Sequence, residues 1–195
     1  MAYGAKDLKQ VQGCFFAQRT VPSAGGLYPC HLYLALETQK IKAEKVKDQE
    51  KIDTGVYYYA PAQDSLIQIR SSIPQILAQR QEQDDSLKAF FIITASFYNS
   101  AWKYRHRAYR YMLLDSGHLV ENLSMILKSL GIEHGVAYEF ADTLLGDFLG
   151  IDMGMEVPLA LVTIGRDHSA SGLLDRFYLR TRPDFHDPHI PKTEP

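Results

Sequence analysis

A run of small residues between two prolines is the first place in the chain where the backbone could approach a flat ligand closely. It reads PSAGGLYP at residues 22–29. Glycine and alanine present no bulky side chain that would keep a ring system away, while backbone N–H groups and the Ser23 hydroxyl could bond ring heteroatoms or a phosphate. The same residue types also form ordinary structural turns, so the run alone leaves both interpretations open.

A second concentration of reactive side chains lies at residues 103–111, KYRHRAYRY, where four cations, one histidine and three tyrosines fall together. Such a density of cations can neutralise a phosphate. Lys103 beside Tyr104 also offers a pair of proton donors whose pKa values burial could move toward neutrality. A solvated, salt-bridged start of a helix would have the same composition, so this segment also keeps two interpretations.

Other catalytic patterns are missing from the sequence. It holds no P-loop, no GxGxxG after a strand and no GxSxG elbow, and its seven histidines lack HExxH or paired-ligand spacing. We therefore expect neither NTP hydrolysis, nor serine esterase chemistry, nor a metal site. A formal net charge of -2 argues against a nucleic-acid binder. The near-neutral charge and the missing motifs favour a small-molecule or peptide partner.

The compartment is also constrained by the sequence. The longest apolar runs fall well short of the ~20 residues that cross a bilayer, so no membrane association is expected. The N-terminus carries no apolar signal segment, and only two cysteines, Cys14 and Cys30, are present. Both features suit a reducing compartment, and we expect a cytoplasmic protein.

Periodicity predicts the elements that would position these side chains. In chain order they are a strand at residues 31–37, a hairpin from GVYYYAP and SLIQIR, a helix at about 73–84, a strand KAFFIITASF, a long helix closed by Gly131, a short helix ADTLLGDFLG and a strand VPLALVTIG. Gly117 inside the long helix costs about 1 kcal/mol relative to alanine, so a packed helix or a ligand should approach that face closely. We predict one α+β domain of 195 residues, with a core at about 3–166 and an extended tail at 167–195.

Five blocks of the sequence, in this order, resemble a known family. They are RTVPSAGGLYPCHLYL, GVYYYAPAQDSLIQI, WKYRHRAYRYMLLDSGHLVENL, LLGDFLGID and EVPLALVTIGR. The chain resembles the SagB-type dehydrogenases, a branch of the FMN-dependent nitroreductase superfamily that includes the oxidases of thiazole- and oxazole-modified peptides. The resemblance implies a nitroreductase-like α+β fold with a central mixed or antiparallel sheet flanked by helices. It also implies an interlocked homodimer with FMN in a cleft at the interface.

The resemblance implies roles for individual residues. The implied cofactor-binding residues are Arg19, Pro22, Ser23, Ala24, Gly25 and, on the phosphate side, Arg166. Lys103 and Tyr104 match the Lys-Tyr motif that azoline-oxidising members use to remove a proton while hydride passes to the flavin N5. Lys103, desolvated near the ring, is then the candidate base, and Tyr104 orients it or relays the proton. The small-residue turn and the Lys-Tyr helix start are expected to enclose the flavin between two copies.

The chain departs from the family pattern at two places. Members carry an upstream arginine-rich segment that grips the FMN phosphate, whereas this sequence begins near the end of the helix that follows it. Arg105, Arg107 and Arg110 are candidates to replace that grip. Residues 137–139, Ala-Tyr-Glu, stand where the family has a small residue or glycine beside the flavin.

Three functions remain open at this point. The first is an FMN-dependent dehydrogenase that oxidises a small ring or an activated C–H bond, for example an azoline in a modified peptide. The second is an NAD(P)H-dependent nitroreductase or flavin reductase. The third is a cofactor-free binding protein on a degenerate nitroreductase fold.

Overall fold

A computed structural model of the chain describes residues 3–11, 14–37, 52–73 and 88–164. The strands are β1 (Ala5–Val11), β2 (Cys14–Arg19), β3 (Cys30–Glu37), β4 (Gly55–Ala60), β5 (Ser65–Arg70), β6 (Lys88–Ser96), β7 (His134–Ala137) and β8 (Glu156–Ile164). The α-helices are α1 (Phe97–Tyr104), α2 (Ala108–Ser129) and α3 (Asp142–Leu149), and short 3-10 turns lie at Ala24–Gly26 and Arg105–Arg107. Nearly all of the helix predicted at 73–84, together with Arg166 and the predicted tail, lies outside these ranges.

The described strands form two antiparallel sheets. β1 pairs with β2 as a separate hairpin, and the other six strands are ordered β5-β4-β3-β6-β8-β7. β3 and β6 lie at the centre, which explains why both are almost continuously apolar in sequence: a central strand is covered on both faces. The small-residue turn leads directly into β3, and α1 follows β6, so the sheet fixes where both reactive segments start.

Helices cover the two faces of the six-stranded sheet. On one face α2 packs Met112, Leu119 and Leu123 among Leu32, Ile93 and other buried residues. On the opposite face α3 places its buried residues against Ala35 and Ile92. Neighbouring residues of β6, Ile92 and Ile93, therefore serve different cores, as the two-residue period of a strand requires. The expected α+β fold with helices flanking a sheet is confirmed, and the sheet is antiparallel throughout the described strands.

The long helix ends as its sequence predicts. Gly131 has φ +69, a left-handed conformation that glycine adopts without a Cβ penalty. The N–H of Ile132 then donates to the carbonyl of Leu127 at 2.9 Å, which closes the last turn. Within the described ranges no helix combines the length and apolar character that crossing a membrane requires.

Candidate active site

The small-residue turn adopts a conformation that glycine makes accessible. Gly25 and Gly26 have φ +64 and +66, and Tyr28 has φ +48. Left-handed backbone is unfavourable for most residues with a Cβ, so the two glycines allow a tight 3-10 turn at Ala24–Gly26. The turn lies at the surface, where Pro22 and Gly25 are exposed and Ser23 and Ala24 are half-buried.

A buried carboxylate on α2 anchors this turn. The Ser23 hydroxyl donates to Oδ2 of Asp115 at 2.5 Å, and the Ala24 N–H donates to Oδ1 of Asp115 at 3.2 Å. Ser23 Oγ in turn accepts from the Tyr28 N–H at 2.9 Å. Burial raises the pKa of Asp115, while the hydrogen bonds from Ser23 and Ala24 work in the opposite direction. The donor of the Ser23 hydroxyl is therefore already used inside the chain.

Lys103 and Tyr104 meet the same turn. A Cβ placed on Gly25 would lie 2.6 Å from Nζ of Lys103 and 2.5 Å from Oη of Tyr104. The two reactive segments of the sequence are therefore in contact within one chain. The expected enclosure of a flavin by the turn and the Lys-Tyr pair involves a second copy of the chain, and it stays a prediction.

The Lys-Tyr pair ends a helix instead of starting one. Lys103 and Tyr104 form the last turn of α1, and Arg105, at φ +49, breaks the backbone before α2 begins. The ring of Tyr104 stacks at a tilt on Tyr111 of α2, with centroids 4.5 Å apart, and Nζ of Lys103 lies 5.5 Å from the Tyr104 ring centroid. Tyr104 is half-buried, whereas Lys103 is exposed in the single chain, so the predicted desolvation of Lys103 is not provided by its own subunit.

Arg19 occupies a second part of the site, next to Tyr28. Its guanidinium lies over the rings of Tyr3 and Tyr28, 4.6 and 4.9 Å from their centroids. Its Nη1 donates to the hydroxyl of Tyr3, which itself donates to the carbonyl of Cys30. No carboxylate of the described residues forms a salt bridge with it. Arg19 is thus a fixed cation held by aromatic faces, and its charge remains available to an anion.

The other predicted positions are less informative. Three arginines of the basic segment are exposed and form no salt bridge with a described carboxylate, namely Arg105, Arg107 and Arg110. That they bind the FMN phosphate in place of the family's upstream arginine-rich segment stays a prediction. Ala137 is buried at the end of β7, and Tyr138 beside it is exposed.

Sequence reasoning missed three residues of the site: Tyr3, Tyr28 and Asp115. A signal for Asp115 was present, because it stands three residues after Met112 and four before Leu119 on the apolar stripe of α2. A carboxylate at a core position needs a hydrogen-bonding partner.

A second polar cluster lies around Glu156, the first residue of β8. Its Oε1 accepts from the hydroxyl of Tyr33 at 3.0 Å and from the hydroxyl of Thr94, and Nδ1 of His31 lies 3.1 Å away. Burial alone would raise the pKa of Glu156, but its contacts with His31, Thr94 and Tyr33 outweigh burial and lower it. These side chains link β3, β6 and β8, and none of their described hydrogen bonds reaches the turn.

Comparison with known proteins agrees with this fold. The sequence pattern of the nitroreductase family matches residues 7–166. The chain is 28% identical over 169 residues to a nitroreductase-like protein of Methanocaldococcus jannaschii, which covers 85% of this chain and 75% of that protein.

Two relatives carry a processing role in their names. The chain is 24% identical over 153 residues to the microcin B17-processing protein McbC of Escherichia coli, covering 76% of this chain and 54% of McbC. It is also 24% identical over 157 residues to the trifolitoxin-processing protein TfxB of Rhizobium leguminosarum bv. trifolii, covering 76% of this chain and 40% of TfxB. The chain thus spans about half or less of the length of these two proteins.

Solved structures share the architecture. A nitroreductase-like crystal structure from Anabaena variabilis superposes with a TM-score of 0.70 at 29% identity, over 84% of this chain and 32% of that one. The E. coli microcin synthetase McbBCD complex, solved with truncated pro-MccB17 bound, superposes with a TM-score of 0.64 at 22% identity, over 85% of this chain and 59% of that one.

Proposed function

The chain belongs to the nitroreductase family, and on that premise we propose that it is an FMN-dependent oxidoreductase of the SagB type that dehydrogenates a small ring in a modified peptide. One observation carries the proposal: the turn at residues 22–25 and the Lys103-Tyr104 pair, far apart in sequence, contact each other at Gly25. The processing roles in the names of McbC and TfxB support a peptide as the substrate class.

The reaction needs one base and one hydride acceptor held together. Oxidising an azoline to an azole removes two hydrogens, one as hydride and one as a proton. Bound FMN would supply the hydride acceptor. Lys103, as the unprotonated amine, would take the proton at Nζ, and Tyr104, whose ring is held by Tyr111, would orient that amine or relay the proton.

The residues of the chain fit a flavin phosphate and ring in chemical terms. Arg19 offers N–H donors on a cation that no described carboxylate neutralises, and Arg166 lies outside the described residues as a further candidate. Because the Ser23 hydroxyl and the Ala24 N–H both donate to Asp115, we expect the ring to meet the remaining backbone of residues 22–25. Closure of the site around Lys103 would come from the cofactor, the substrate and a second subunit.

We also propose that two copies pair along α2. Its outward face exposes Leu113, Leu114 and Met125 at 43%, 61% and 52%, around Gly117, which has no atom near its absent Cβ. Burying one leucine is worth about 1.5–3 kcal/mol, and a glycine among such residues lets a second helix approach closely. On this proposal, Gly117 stands inside α2 because a neighbouring subunit packs closely against it.

A reductase that uses NAD(P)H is the second candidate. The similarity to the M. jannaschii protein, at 75% of that protein's length, favours it. Both candidates share the flavin and differ in the electron donor.

The test is to purify the protein, add excess FMN, remove the unbound FMN by gel filtration and record the visible spectrum. The flavoprotein is then mixed without oxygen with an azoline-containing peptide or with NADPH. Bleaching by the peptide and not by NADPH is expected. Bleaching by NADPH alone would favour the reductase, and a protein that retains no flavin after gel filtration would exclude both.

A further inference from the structure

Asp115 is a buried carboxylate on α2, and the described donors of its hydrogen bonds lie outside that helix. The residue is 6% exposed within α2. Removing a carboxylate from water costs several kcal/mol unless hydrogen bonds to it compensate. Both of its oxygens accept hydrogen bonds, and both donors belong to the small-residue turn: the Ser23 hydroxyl and the Ala24 N–H. The described hydrogen-bond donors to this carboxylate therefore lie about ninety residues earlier in the chain, and His118 on the same helix adds a favourable charge interaction.

From this geometry we infer that Asp115 is a positioning residue: by receiving one hydrogen bond at each oxygen it holds the turn so that Gly25 lies against Lys103 and Tyr104. The inference rests on the proposed function, because it assigns Asp115 a role in placing the base of that reaction. Asp115 itself touches neither Lys103 nor Tyr104 by any described hydrogen bond.

The turn needs an external anchor because its own sequence does not select one conformation. Gly25 and Gly26 are among the most freely rotating residues in an unfolded chain, and both are exposed here. No residue of Ala24–Gly26 is buried, so apolar packing contributes little to the turn. Tyr28 at φ +48 adds a conformation that an L-residue rarely adopts. Tyr28 packs against the core that α2 helps to form, whereas the described hydrogen bonds between residues 23–24 and α2 are the two to Asp115.

The position of the turn matters for chemistry because Gly25 lies directly against Nζ of Lys103 and Oη of Tyr104. With a Cβ only 2.5–2.6 Å from Oη of Tyr104 and Nζ of Lys103, any shift of the turn changes the space in which both groups move. A misplacement of about 1 Å at a reacting group can lower a rate about 100-fold. Replacing Asp115 should therefore lower the rate because the turn is misplaced, and not because a negative charge is lost.

The test compares Asp115→Ala with Asp115→Asn. In the D115N variant the side-chain carbonyl can still accept from the Ala24 N–H, and the amide can donate to Ser23 Oγ, so the turn keeps two bonds without the charge. We expect D115A to slow peptide-dependent flavin reduction about 100-fold and D115N to remain within about 10-fold of wild type. Equal loss in both variants would overturn the positioning role, because charge would then be what matters.

A second readout does not depend on the flavin. Amide hydrogen exchange in the cofactor-free protein should be faster at Ala24 and Tyr28 in D115A than in wild type, and close to wild type in D115N. Unchanged exchange in a folded D115A would overturn the inference. If D115A does not fold, Ser23→Ala removes one of the two bonds between the turn and Asp115 without changing α2. It should raise exchange at Ala24, whose N–H keeps Asp115 as its acceptor, and unchanged exchange there would overturn the inference.

The two readouts also separate this inference from the proposed function. If wild-type protein binds no FMN, the proposed function fails, while the exchange comparison still decides whether Asp115 holds the turn. If wild-type protein reduces its flavin with peptide and D115A does so at the same rate, the function stands and the inference is overturned.

Discussion

Gly25 lies so close to Lys103 that a Cβ at position 25 would stand 2.6 Å from the lysine Nζ. This relationship joins the two segments whose chemistry was apparent in the sequence, and it does so inside a single subunit. It makes residue 25 a sensitive probe of the site, because any added atom there must displace Lys103, Tyr104 or the turn itself.

Replacing Gly25 by alanine should reduce activity far more than stability. The left-handed φ of +64 costs an alanine about 1–2 kcal/mol. The clash falls on the end of the flexible Lys103 side chain and on the hydroxyl of Tyr104, so both groups must shift and are then misplaced for catalysis. We expect at least about a 100-fold fall in flavin reduction rate. Gly26→Ala is the matched control, since Gly26 has φ +66 and nothing within 4 Å of its Cβ position. Equal activity losses in the two variants would contradict the contact-based explanation.

Lys103→Ala should keep bound flavin and lose its reduction by substrate. Lys103 is exposed and contributes little to folding, so the visible spectrum and the melting temperature should match wild type. Loss of a general base typically lowers the rate about 100- to 10,000-fold. Stopped-flow measurement of flavin bleaching would check this, and Lys128→Ala, which removes an exposed lysine at the end of α2, provides the control. An unchanged bleaching rate in K103A would remove Lys103 from the mechanism.

Sequence reasoning recovered most of the sheet and the helix α2. Apolar runs and periods reveal β3, β6 and β8 because each is buried on two faces, and Gly131 marks the end of α2. The β1–β2 hairpin gave no such signal, since it pairs apart from the main sheet. The contact between Ser23 and Asp115 joins residues 92 positions apart, and no local pattern specifies which turn a buried acid will meet. The burial of Asp115 was predictable, and its partner was not.

Replacing Arg19 by glutamine should weaken FMN binding. A hydrogen bond to a charged group contributes about 1.5–3 kcal/mol, so the dissociation constant should rise about 10- to 150-fold. Arg19→Lys keeps the charge and loses the planar fork that rests on Tyr3 and Tyr28, so it should fall between wild type and R19Q. Fluorescence titration with FMN measures the three constants. Equal affinities would show that Arg19 serves only to link the two tyrosine rings.

Glu156 should make stability depend on pH in the acidic range. Its contacts lower its pKa in the folded state below the usual value of 4.5, so folding favours the ionised form. That contribution is fully present above pH 4.5 and is lost as the pH falls through the lowered pKa. Relative to wild type, Glu156→Gln should cost about 1–3 kcal/mol at neutral pH, and the difference should shrink in acid. Urea unfolding at several pH values measures it. A difference that stays constant down to the acid limit would contradict the role of the charge.

Replacing Leu114 by glutamate should separate the proposed dimer. Leu114 is 61% exposed on the face of α2 that also carries Gly117, and a glutamate there would place two like charges in an apolar contact. Leu130, 66% exposed beyond the end of the same helix, is a matched site for a control substitution to glutamate. We expect L114E to be monomeric in analytical ultracentrifugation and L130E to stay dimeric at the same concentration.

Because Lys103 is exposed in a single chain, a monomeric L114E should also lose substrate-dependent flavin reduction, since the surface that excludes water from the lysine would be gone. A monomer that retains full activity would show that one subunit completes the site alone.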